Sequence, residues 1–478
     1  LQQGVAAHNA SNLQEAERLY RAILQTQPGH PDANHNLGLI ALAANAAEAA
    51  LPLFKTALEI NPAVEQFWLS YIAVLIRLGL LEPAKGVLER AQDLGFKIEK
   101  LEPLNRKLAS TTNKAPVSEV AAAEVYRTLG VALKELGRLD EAEASYRKAI
   151  ALKPDYIEAH FNLGNTLKKL DKLSEAEESY SHAIDLQPDF VPALMNRWEL
   201  LFNRGEFETA LKDADCCNNQ ISRLRSLESL YALGRNEEIF QRIADQSGLD
   251  NENLHVAAFA AFIAAVEKKN SAHGFCNNPL DFIHISNVSA HHENPDIFIV
   301  DVIEELRNIR TEWEPENKST YKGFQTPSGI NLFAAPSGNV AQLKSIIVAE
   351  LVRFYEKSQN ESCSYIQKWP RQKNFHGWHV ILKQQGHQTP HIHVDGWLSG
   401  VVYLQVVPSL DKNEGAIEFG LNSPNYSADG LPTTVHQPAA GDIVFFPSSL
   451  HHRTIPFSTD TERIVVAFDL MPDSAATE

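Results

Sequence analysis

The chain has 478 residues, 44% of them hydrophobic, and 43 Lys and Arg stand against 60 Asp and Glu, for a formal net charge of −17. That length calls for two or three domains. No apolar run is long enough for a membrane-spanning helix, and so acidic a surface disfavours nucleic acid as the partner.

Residues 1–222 carry a 34-residue period. The clearest units are 123–156 and 157–190. Leu129, Gly130, Leu133, Ala142, Tyr146, Ala149 and Pro154 recur as Leu163, Gly164, Leu167, Ala176, Tyr180, Ala183 and Pro188. Two antiparallel helices per unit are expected. The small residues allow close approach, and proline ends the second helix. Asp140 and Ser174, each followed three residues on by Glu, predict capping-box helix starts. Earlier units run through Leu37, Gly38 and Phe54, then Trp68, Tyr71 and Ala84, and a degraded sixth spans 191–222. Residues 96–120 break the period and predict a connector or an irregular unit. Residues 223–268 stay helical in pattern and are expected to cap the solenoid. The pattern resembles the tetratricopeptide repeat.

The sixth position of successive units holds Asn36, Ser70, Thr128, Asn162 and Asn196. In this repeat class that position faces the concave groove. The row resembles the asparagine ladder of the O-GlcNAc transferase repeats, which grips a peptide backbone. An amide both donates and accepts, so Asn36, Asn162 and Asn196 are candidate substrate contacts. Asparagines that merely cap or solvate the groove are an equal reading.

From 269 to 478 the period shortens to runs of Val, Ile, Phe and Tyr between Gly, Pro, Asn and Asp. Strands are predicted at 329–334, 376–384, 399–407, 415–419, 442–446 and 463–470, and helices at 298–312 and 340–358. Many short strands predict a jelly-roll barrel. The fold class is thus an all-α repeat solenoid followed by a β jelly roll with flanking helices. The four cysteines, Cys216, Cys217, Cys276 and Cys363, form no disulfide framework or zinc pattern, which fits a reducing, cytoplasmic compartment. His291 and His292 read as a polar loop.

Within this half, His393 and Asp395 sit two apart, so an extended strand would point both at one place. A histidine from a distant strand, His452, would complete two histidines and a carboxylate, a set that suits Fe(II) and leaves positions open for a co-substrate and O₂. His451 competes with His452. His391 has the same parity as His393, and a cupin-like site would use both with a following glutamate. No Glu occurs between 396 and 413, so His391 is expected at the substrate mouth, with Trp397 beside it. Arg463 heads the apolar run Ile464–Phe468, where a buried cation needs an anion; a 2-oxoglutarate carboxylate would serve.

From about Phe375 to Leu470 the sequence resembles the Fe(II)- and 2-oxoglutarate-dependent oxygenases, in the branch related to prolyl hydroxylases. The resemblance rests on Gly386 to His393, Trp397 to Leu404, Gly441 to Pro447, Leu450 to His452 and Arg463. The family spacing Leu-x-His-x-x-x-Pro selects His452, with Pro456 closing it. The resemblance implies a double-stranded β-helix, oxidative decarboxylation of 2-oxoglutarate, and Tyr403 as a further hydrogen bond to that co-substrate. The expectation is a hydroxylase whose repeats recruit a peptide or protein. One rival gives the same chemistry to a small molecule, with the repeats serving oligomerisation or docking. The other is a non-catalytic scaffold.

Overall fold

The computed structural model describes residues 1–110, 119–315, 318–408 and 413–473. The chain divides into two compact units, Leu1–Gly205 and Glu206–Glu478.

The first unit is a run of helical hairpins such as Leu13–Thr26, Pro31–Ala43 and Ala47–Ile60, then Glu119–Glu135 with Leu139–Leu152 and Ile157–Lys169 with Leu173–Leu186. The repeated Gly and aromatic positions interlock. A Cβ on Gly130 would lie 2.6 Å from Tyr146, and one on Gly164 would lie 2.5 Å from Tyr180. Only glycine lets those rings seat against the neighbouring helix. The expected capping boxes are corrected: helices start at Leu139 and Leu173, so Asp140 and Ser174 fall inside the first turn and cap nothing. The tight turn before each start closes through backbone instead, as in Arg138 N–H to Leu133 C=O at 2.9 Å. In the irregular stretch 96–120 a helix spans Ile98–Ser110, while 111–118 lie outside the described residues.

The second unit begins earlier than the period suggested. The helices Phe207–Asp215, Gln220–Ala232, Asn236–Asp245 and Leu254–Glu267 belong with the strands, not with the hairpins. Phe259 packs edge-on to Tyr426 at 4.9 Å and Phe262 packs against it at a tilt at 4.6 Å, and the Tyr231 hydroxyl donates to the Ser427 carbonyl. These helices therefore buttress the barrel. The division after Gly205 falls inside the stretch 191–222 expected as a sixth repeat, and the stretch 223–268 expected as a solenoid cap lies in the second unit.

The strands are β1 (His284–Asn287), β2 (Glu312–Trp313), β3 (Thr320–Gln325), β4 (Phe375–His391), β5 (Leu398–Gln405), β6 (Ile417–Gly420), β7 (Thr434–His436), β8 (Asp442–Pro447), β9 (His451–Thr454) and β10 (Arg463–Leu470). They form one curled antiparallel sheet ordered β1-β8-β5-β10-β4-β9-β6-β7, with β2 and β3 attached beside β4. The long β4 makes the curl. Its first half pairs with β10 and its last residues pair with β9, the register shifting between Gln388 and His391. Gln385, in the left-handed region at φ 63°, marks the bend. The stretch 329–334, expected as a strand, is a turn; the neighbouring strand is β3 instead.

All eight residues of β10 are buried because both sheet faces are covered. Ile464, Val466, Phe468 and Leu470 face a core capped by the helices Pro295–Leu306 and Gly338–Ser358. Val465 and Ala467 face the barrel interior with Val380, Tyr403, Phe419 and Phe446. By strand alternation the interior face of β10 also carries Arg463 at one end and Asp469 at the other.

Candidate active site

Three histidines converge where β4 meets β9. His391 and His452 are direct cross-strand partners, and His393 follows just past the end of β4. One nitrogen from each of the three lies within 4.8 Å of the others. The Nε2 atoms of His391 and His393 are 3.2 Å apart. Each ring is oriented through its other nitrogen. Nδ1 of His391 donates to the Thr389 carbonyl at 2.7 Å, Nδ1 of His452 to the Leu450 carbonyl at 3.2 Å, and Nδ1 of His393 to the Asp469 carboxylate at 2.6 Å. These partners only accept, so each Nδ1 carries the proton and each Nε2 keeps a lone pair for a ligand. Burial, reinforced by neighbouring imidazoles, holds His391 down to about 3 and His452 well below the usual histidine range. Both are therefore neutral, as a metal ligand must be.

Asp395 does not join this group. Strand β4 ends at His391 and the chain turns at 394–395, which breaks the two-residue alternation and leaves Asp395 exposed. Of the expected set His393, Asp395 and His452, the structure brings the two histidines together and leaves Asp395 apart, and His391, expected at the substrate mouth, lies in the cluster. His451 turns the other way, its Nε2 3.0 Å from the Tyr426 hydroxyl. The carboxylate nearest the cluster is Asp469, behind His393, and the Ser399 hydroxyl donates to it at 2.7 Å. Nothing in a short motif marks Asp469. The only available signal was its inward parity with Arg463 on a strand ending near the cluster.

Arg463 is 2% exposed, and among the described residues its Nε and Nη1 have no hydrogen-bond partner. Its guanidinium sits over the Tyr403 ring at 4.9 Å, and the buried Tyr403 hydroxyl is also unpartnered. Burial lowers the Arg463 pKa. A desolvated cation with free donors is costly to leave unpaired. Such a cation suits an anionic group such as a carboxylate, and the three converging imidazoles suit a metal.

A cavity of about 1100 Å³ opens onto His391, His393, Trp378 and Asp469. Trp397 is not part of it. That indole is buried, donates to the Tyr365 carbonyl at 2.9 Å and packs edge-on to Phe275, so it is a core residue and the expected substrate role is corrected. In the repeats, Asn36 and Asn162 are half-buried, and Asn196 donates to Asn165 at 2.7 Å. Ser70 and Thr128, in the same row, are buried, so the row is interrupted. His291 is no idle loop residue: it and His284 flank the buried Glu350 carboxylate at 2.5 and 2.6 Å.

Residues 376–469 match the family described as "Putative 2OG-Fe(II) oxygenase", and tetratricopeptide-repeat families match 1–65, 130–171 and 157–190. No curated protein matches the chain. Among solved structures, a Pseudomonas putida prolyl-4-hydroxylase is 15% identical, covering 45% of this chain and 99% of its own at a TM-score of 0.29. YrrB, a TPR protein described as having an unusual peptide-binding site, is 22% identical over 41% of this chain and 88% of its own, with a TM-score of 0.20. The pilF protein of Pseudomonas aeruginosa is 20% identical over 48% and 97%, at 0.27. Among the described residues no helix is long and apolar enough to cross a membrane. The chain therefore joins N-terminal tetratricopeptide repeats to an oxygenase domain of the 2OG-Fe(II) family, which implies Fe(II), 2-oxoglutarate and O₂.

Proposed function

We propose that the second unit hydroxylates a side chain of a peptide or protein recruited by the repeats, with Fe(II) held by His391, His393 and His452. The observation that carries this reading is the shared orientation of the three rings, each Nδ1 donating to a neighbour so that the three imidazoles can each offer a nitrogen to one point. When bound, iron and 2-oxoglutarate supply O₂ activation and the oxidising power. The chain's own residues do the positioning. Asp469 and Ser399 fix the His393 ring. Arg463, with Tyr403 beside it, supplies donors for the far carboxylate of 2-oxoglutarate, which a buried guanidinium grips more strongly than a neutral donor would. The apolar interior of the curled sheet behind them, walled by Phe419, Phe446 and Val465, keeps water away from the reacting centre.

Three half-buried amides, Asn36, Asn162 and Asn196, support recruitment of a polypeptide by the first unit. Each neutral hydrogen bond is worth only about 0.5–1.5 kcal/mol, so they matter together. The test is substrate-dependent succinate release across cell-extract fractions, followed by mass spectrometry for a gained oxygen atom. The expected product is an oxidised polypeptide whose formation drops markedly when all three asparagines become alanine. Oxidation of a small molecule, unaffected by the triple change, would replace this reading.

A further inference from the structure

The cavity in front of the histidines has a charge opposite to that of the molecule. Lys318, Lys344 and Lys373 line it, and the acidic lining residues are Asp395 and Asp469. Asp469 is committed to His393 and Ser399. Among the described residues none of the three lysines forms an ion pair. Two are half-buried and anchored by neutral acceptors: the Lys344 ammonium donates to the Phe333 carbonyl at 2.9 Å, and that of Lys373 to the Pro370 carbonyl at 2.6 Å. Each ammonium has three donors, so both keep hydrogens for a further partner. Burial, partly opposed by Asp473, pulls the Lys373 ammonium below the usual lysine range, as expected for a cation lacking an adequate counter-charge. Ser319, Thr326, Asn331 and Asn374 add neutral polar groups to the wall.

A chain with net charge −17 repels anions in general, so a cationic concavity in it focuses negative groups locally. The cavity's volume of about 1100 Å³ also exceeds what a small co-substrate fills. Building on the function proposed above, we propose that this cavity receives an acidic polypeptide segment, in which the residue presented to the histidines is flanked by carboxylates that meet Lys318, Lys344 and Lys373.

The probes are three fluorescein-labelled peptides of equal length, rich in Glu, in Ser and Gly, or in Lys. Their binding to the full chain loaded with Mn(II) is followed by anisotropy. The Glu-rich peptide should bind at least tenfold more tightly than the neutral one, and its advantage should shrink as NaCl rises. Lys344→Gln with Lys373→Gln should remove most of that advantage. Both lysines brace backbone carbonyls, so Lys318→Glu, on the exposed rim, is the companion variant and should weaken Glu-rich binding by itself. Equal binding of the Glu-rich and neutral peptides would overturn the proposal. So would Glu-rich binding that survives both sets of changes, since it would then lie elsewhere on the chain. An inorganic-phosphate or citrate competitor that displaces the peptide only at concentrations far above the peptide's Kd is expected; displacement at matching concentrations would assign the cavity to a small anion instead. Loss of 2-oxoglutarate decarboxylation in the parent protein would count against the oxygenase reading alone, because peptide binding is read without turnover.

Discussion

His393 shows how a residue's role is set by its partner. Its Nδ1–H is bound by the Asp469 carboxylate at 2.6 Å, so the ring is oriented to present Nε2 as the ligand atom. Asp469→Ala should weaken Mn(II) binding about 10–100-fold by titration calorimetry, the usual cost of losing such a partner, and Asp469→Asn should recover part of it by accepting the same hydrogen bond. Unchanged affinity in the alanine variant would show that Asp469 does not orient the ring. Arg463 makes a separate prediction. Removing a charge-assisted partner costs about 1.5–3 kcal/mol, so Arg463→Ala should raise the Kd for 2-oxoglutarate roughly tenfold or more while Mn(II) affinity stays close to parent. At this scale the sequence named His393 and His452, which the structure brings together, and set Asp395 beside them where the structure sets His391. The two-residue rule holds only inside a strand, and the strand stops at His391; the rule therefore pairs His391 with the site and fails at Asp395.

Among the elements, the helix Gly338–Ser358 ties the outer face of the barrel to β1 through Glu350. Burial pushes this carboxyl up, but hydrogen bonds from His284 and His291 prevail and hold it below its ordinary 4.5. A carboxyl depressed on folding contributes stability above its unfolded pKa and loses it as the pH falls through the folded value. Thermal stability should therefore decline on acidification below about 4.5, and Glu350→Gln should flatten that decline while lowering stability at neutral pH by about 1.5–3 kcal/mol. Identical melting curves for parent and variant at both pH values would contradict this. Elements with strong periodicity were legible: the helix predicted at 340–358 and the strand at 463–470 lie where expected, since a two-sided apolar run leaves few alternatives. The short strands β1, β2, β7 and β9 were not legible. They hold two to four residues each, and His451–Thr454 is mostly polar, so only pairing with β4 and β6 makes it a strand.

For the whole molecule, the period of 34 residues exposed the repeats because each glycine must face an aromatic ring of its own unit. It puts the end of the repeats near 222, whereas the compact units divide after Gly205. Helices after Gly205 keep a helical pattern, yet their apolar faces serve the barrel, and periodicity does not say which neighbour a helix will cover. The same holds for the acidic net charge, which reports the surface average and conceals the lysine-lined cavity. The central claim is that the second unit consumes 2-oxoglutarate at a three-histidine metal site. It is tested by succinate release from 2-oxoglutarate with and without Fe(II), comparing the parent protein with His391→Ala, His452→Ala and Asp395→Ala. Iron-dependent release is expected in the parent and in Asp395→Ala, and at least a hundredfold loss in either histidine variant. Release that survives His391→Ala but disappears in Asp395→Ala would contradict it.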